Sequence, residues 1–107
     1  MNHKEFEILL EERFNKIRSI LANKNKEYAS GDDKLHNFKR AGDMLHCTQE
    51  KALIGMFVKH MISILDIVDK WEDAGTFPYM GQLEEKIGDA INYLILLEAC
   101  FKERKFI

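Results

Sequence analysis

Apolar residues recur along this chain at the three- and four-residue spacings of α-helices, and no alternating run of β-branched residues is long enough to suggest a sheet. Phe6, Leu9, Leu10, Phe14, Ile17, Ile20 and Leu21, with Arg13 in a position to snorkel, predict a first helix from about His3 to about Tyr28. Ala29-Ser30-Gly31-Asp32-Asp33 breaks it, because Gly and Asp favour turns over helix interiors. Asp33 is suited to cap a short helix from about Lys34 to about Leu45, and Thr48 a third from about Gln49 to about Asp73, with Glu50 near its positive end. That third helix is apolar nearly all round, from Leu53 to Trp71, which marks it as the central element. Gly75 to Tyr79 end it, and a fourth helix runs from about Gly81 to about Lys105. Short connections make neighbours antiparallel, so the expected fold is all-α: an up-and-down bundle of four helices, one of them short, in a single domain over residues 1–107.

Composition narrows the function classes. With 46% hydrophobic and 32% charged residues the chain has the make-up of a globular protein and not of a disordered one. A net charge of -2 gives no general pull toward nucleic acid. No apolar run approaches the roughly 20 residues needed to span a bilayer, and the charged amphipathic start lacks a signal-peptide block, so the expectation is a cytoplasmic protein without a membrane partner. Cys47 and Cys100 stand apart, in neither zinc-ligand nor disulfide-framework spacing, and read as small apolar residues.

Polar residues set into apolar helices carry the candidate chemistry. In the fourth helix Glu85, Asp89 and Asn92 fall at i, i+4 and i+7 and project from one face, with Gly88 leaving room beside them and Leu83, Ile87, Ile91, Leu94, Ile95 and Leu97 offered to a core. Two carboxylates one turn apart can share a hard divalent cation; a solvated helix face is the plain alternative. Lys59, Ser63, Asp66 and Lys70 form a second stripe, on the third helix, with His60 beside it. Facing the first stripe across a cleft, it would complete a ligand site of the kind built inside bundles; facing solvent, it is a wet edge, and a lone His60 there reads as a structural residue. A third patch, Lys24, Lys26, Glu27 and Tyr28 followed by His36, Asn37, Lys39 and Arg40, has the residue types that contact phosphates and base edges, or is a charged loop at a helix end, with Phe38 placed for the core.

The motifs in order, Lys24-Asn25-Lys26-Glu27-Tyr28, Leu35-His36-Asn37-Phe38, Lys59-His60 with Ser63 and Asp66, and Glu85 through Asp89 to Asn92-Tyr93, resemble small bacteriophage proteins related to the MazG-like all-α nucleotide pyrophosphatases, in particular the nucleotide modification associated domain group. The resemblance covers roughly residues 20–100. It implies a MazG-like, oligomeric helical fold and magnesium-dependent hydrolysis of a nucleoside triphosphate to a monophosphate and diphosphate, manganese serving as a substitute. Position by position, it matches Glu85 and Asp89 to the acidic metal-holding helix and Asn92 to an amide that follows it; for an enzyme, the mechanism expected here gives general-base or site-completing roles to Glu27 or Asp66 and substrate contacts to Lys24, Lys26, Asn37, Lys59, His60 and Asn92. The chain departs from the family in lacking a Glu-x-x-Glu pair on its third helix, where Lys59, His60 and Ser63 stand instead, and in spacing Glu85 and Asp89 one residue wider than usual. A nucleotide-binding relative with weakened turnover therefore belongs to the same expectation. The alternative from another class is a phage-encoded binding protein that sequesters a nucleotide signal or inhibits a host defence protein. Independently of the resemblance, the apolar surplus that includes Met56, Met61, Trp71, Leu96 and Phe101 exceeds what a small bundle covers and predicts a homo-oligomer.

Overall fold

The computed structural model describes residues 1–22 and 33–105. Among these residues the chain forms four helices and no sheet: α1 His3–Leu21, α2 His36–Leu45, α3 Gln49–Ala74 and α4 Met80–Lys105. No helix is long and apolar enough to cross a membrane.

The helix ends follow from local chemistry. The Asn2 side chain caps α1 by accepting from the Glu5 amide at 2.8 Å. α1 ends at Leu21, where the apolar pattern alone ran on to Tyr28, and residues 23–32 lie outside the described residues. Asp33 does not cap α2 as expected: its carboxylate accepts from the Leu35 amide two residues on, at 2.9 Å, forming an Asx turn that delays the helix to His36. Thr48 caps α3 as predicted, its hydroxyl accepting from the Lys51 amide at 3.1 Å. Gly75, with φ 67°, stops α3, its amide and that of Thr76 returning to the carbonyls of Trp71 and Lys70.

The turn at 75–79 folds α4 back against α3. α2 packs on α3, and α1 packs on α4, with Arg13 over Gly88 and Lys16 at Glu84. The helices thus neighbour one another in the order α1, α4, α3, α2, and α4 has both flanks in use. Gly42 is needed where α2 backs onto the start of α3, since a Cβ there would lie 2.8 Å from the Cys47 carbonyl oxygen.

The core sits where α2, the start of α3 and the end of α4 converge: Leu35, Phe38, Leu53, Leu96 and Cys100, with Leu21, Met56 and Tyr93 packed against it. Burial pushes the Cys100 thiol up to about 11, so it stays protonated and inert at neutral pH. Around this core Glu50 is held by Arg104, and Lys39 bridges Asp33 at 2.8 Å and Glu103 at 2.9 Å. Their cationic partners hold the Glu50 and Asp33 carboxyls below the usual range.

Two expectations about facing are corrected. On α4 the buried row is Gly88, Asn92, Leu96 and Cys100, whereas Leu94 and Ile95 are exposed, because Leu83, Ile87 and Ile91 serve the α1 flank and the polar-looking side serves the core. α3 is central yet only half covered: Ile54, Val58, Ile62, Leu65, Val68 and Trp71 stand in solvent, while Met56 and Leu96, counted above as surplus, are core residues.

Candidate functional site

Two expected residues meet at the α3–α4 contact. His60, on α3, directs Nδ1 toward the Asp89 carboxylate on α4, at 3.7 Å, and both side chains are about three-quarters covered. The His60 ring lies on Tyr93 with centroids 4.9 Å apart and planes at 35°, and Tyr93 meets Phe38 of α2 edge-on at 6.0 Å. Tyr93 belongs to the quoted motif but was given no role from sequence; its spacing of four from Asp89 was the available signal.

Asn92, one turn beyond Asp89, is 1% exposed, and neither its amide nitrogen nor its oxygen has a hydrogen-bond partner among the described residues. Buried polar groups are nearly always paired, because an unpaired one has lost its water without compensation. A buried, unpaired amide is therefore the site's most unusual feature.

Glu85 and Asp89 share a cleft of about 220 Å³ between α4 and α1, as the i, i+4 spacing required. The room expected over Gly88 is occupied: a Cβ there would lie 2.6 Å from Arg13 Nη1, and Arg13 Nη2 donates to the Glu84 carbonyl at 3.1 Å. Lys16 pairs with Glu84 at 3.3 Å at the same cleft. Three acids, Glu84, Glu85 and Asp89, and two bases, Arg13 and Lys16, thus line one cleft. Arg13 interrupts the apolar repeat of α1, which was the sequence signal for its inward position. Among the described residues no three His, Cys, Asp or Glu side chains are grouped to hold a metal ion.

The other expected residues are not at this cluster. Ser63, Asp66 and Lys70 line a separate cleft of about 360 Å³ at the α3–α4 turn, with Phe77, Tyr79 and Lys86, and the Ser63 hydroxyl donates to its own helix at the Lys59 carbonyl. The two polar stripes therefore do not face each other. A step of about 100° per residue turns Lys59 away where it turns His60 toward α4, and Lys59 is exposed. Asn37 is exposed on the first turn of α2. Lys24, Lys26 and Glu27 lie outside the described residues.

Comparison with protein-family models, with curated proteins and with solved structures finds no match to this chain.

Proposed function

We propose that the chain is a MazG-like protein that binds a nucleoside triphosphate and, with magnesium or manganese, hydrolyses it between the α and β phosphates. The observation that supports this most is the cleft where the Glu85 and Asp89 carboxylates face Arg13 and Lys16, with Asn92 one turn along, closed to water here and holding donors and an acceptor that a base edge would pair on opening of the α3–α4 contact. Each group so paired would recover a desolvation penalty of roughly 1–3 kcal/mol.

Glu85 and Asp89 would hold the ion. Magnesium is commonly bound by one or two carboxylates together with substrate phosphates, so this pair fits an ion that arrives with its nucleotide. When bound, the ion neutralises phosphate charge and lowers the pKa of a water. Arg13 and Lys16, across the same cleft, supply positive charge for phosphate oxygens. In the reaction the water oxygen bonds to the α phosphorus, the bond to the bridging oxygen breaks, and diphosphate leaves with the electron pair. The water's proton passes to His60, which lies 3.7 Å from the Asp89 carboxylate in a contact about three-quarters covered.

The test is incubation with a panel of deoxyribo- and ribonucleoside triphosphates and magnesium, with products read by chromatography. Monophosphate and diphosphate are expected from the parent, and neither from Asp89→Asn. A nucleotide that binds and returns intact would replace hydrolysis by sequestration; absence of binding across the panel would overturn the proposal.

A further inference from the structure

The cleft of about 360 Å³ at the α3–α4 turn takes no part in the proposed hydrolysis, yet it is large enough for a small molecule. Two lysines line it from different helices, Lys70 on α3 and Lys86 on α4. The bases lining the other clefts are each engaged: Arg13 and Lys16 at Glu84, Lys39 by Asp33 and Glu103, and Arg104 by Glu50. Lys70 and Lys86 have no ion-pair partner among the described residues, although Asp66 stands one turn before Lys70 and lines the same cleft. Two cations are thus uncommitted beside one open volume.

Another part of the lining is aromatic. Phe77 and Tyr79 flank Pro78 in the turn and are 66% and 79% exposed, so the core does not hold either ring. Tyr79 lies against the first turn of α4, where a Cβ on Gly81 would come 3.0 Å from its Cε1. Phe77 meets Trp71, the single tryptophan of the chain, edge-on at 5.4 Å. Ammonium groups attract an anion, and an exposed ring offers its face to another flat ring.

We propose that this cleft binds a phosphate monoester of an aromatic compound, its phosphate on Lys70 and Lys86 and its ring on Phe77 and Tyr79. Such a phosphate carries a charge of about -1.5 to -2 at pH 7, which two ammonium groups match and one would not. Asp66 is then a like charge in the same cleft, so removing it should tighten binding. The inference does not depend on nucleotide binding between α1 and α4.

Calorimetry on the full chain with phenyl phosphate, inorganic phosphate and phenol separates the head from the ring, while Trp71 fluorescence reports occupancy beside Phe77. Phenyl phosphate should bind more tightly than either fragment and change the Trp71 emission. Lys70→Ala and Lys86→Ala should each weaken it about fivefold and Tyr79→Ala about tenfold, whereas Asp66→Asn should strengthen it about threefold. Gly81→Ala alters no charge and should weaken binding by displacing the Tyr79 ring, with helical circular dichroism retained. Asp66, Lys70 and Tyr79 are exposed, so their variants decide the matter if Lys86→Ala fails to fold. Inorganic phosphate that binds as tightly as phenyl phosphate, or lysine variants that bind like the parent, overturns the proposal. Weaker binding in Asp66→Asn also overturns it, because the ligand would then carry a cation of its own. Loss of binding in Arg13→Ala with Lys86→Ala unaffected would put the anion in the α1–α4 cleft and overturn it likewise.

Discussion

Replacing Asn92 by leucine separates a ligand-binding amide from a structural one. The side chain is 1% exposed and both of its polar ends are unpaired among the described residues. Leucine has the same number of side-chain heavy atoms and the same branching, though its methyl groups are bulkier, and nothing to hydrogen-bond. Taking the low end of the penalty for each orphaned group, about 1 kcal/mol, the substitution should stabilise the ligand-free protein by about 2 kcal/mol. For a chain of this size that raises the melting temperature by about 8 °C. The order reverses with ligand: a nucleotide at a hundred times its Kd adds about 2.7 kcal/mol to the parent and nothing to a variant that has lost the contact. Scanning calorimetry of both proteins, with and without the best triphosphate of the panel plus magnesium, reads both effects. A ligand-free variant that melts below the parent would refute the reasoning, because it would mean the amide is satisfied within the fold. A variant that melts higher but keeps its nucleotide shift would leave Asn92 outside the binding site.

The remaining predictions concern stability. Glu50 and Asp33 are held below their ordinary values of 4.5 and 3.8, so on acidification the unfolded chain takes up protons first, and stability falls as pH drops through and below that range; urea unfolding at pH 5 and pH 3 should show a smaller loss in Glu50→Gln than in the parent, and equal losses would refute the linkage. Gly42→Ala meets fixed backbone at 2.8 Å and should cost roughly 1–3 kcal/mol. Gly88→Ala meets only the movable end of Arg13, so its melting temperature should stay near the parent's or rise with the helix-propensity gain of up to about 1 kcal/mol; a larger drop for Gly88→Ala than for Gly42→Ala would reverse this reading.

The number of helices, the Thr48 cap, the Gly75 stop and the pairing of α3 with α4 through a short turn were determined by the sequence itself, because each rests on contacts within a few residues. Glu85 and Asp89 sharing a cleft is likewise a consequence of helical repeat alone. What the repeat cannot say is which face of a helix meets a neighbour. Only the packing of α4 between α1 and α3 turned Asn92 inward with Leu96 and Cys100 and left Leu94 and Ile95 outside. The same packing chose His60 over Lys59 as the α3 residue that reaches Asp89, a difference of one position and a third of a turn. Arg13 filling the space over Gly88 joins residues far apart in the chain, and no local pattern encodes such a contact. Periodicity fixes the angles between side chains, and tertiary contacts choose the rotation of each helix about its axis. The apolar row of α3 from Ile54 to Trp71 shows both at once, being legible in the sequence as apolar and identified as exposed only when the described neighbours of α3 are in place.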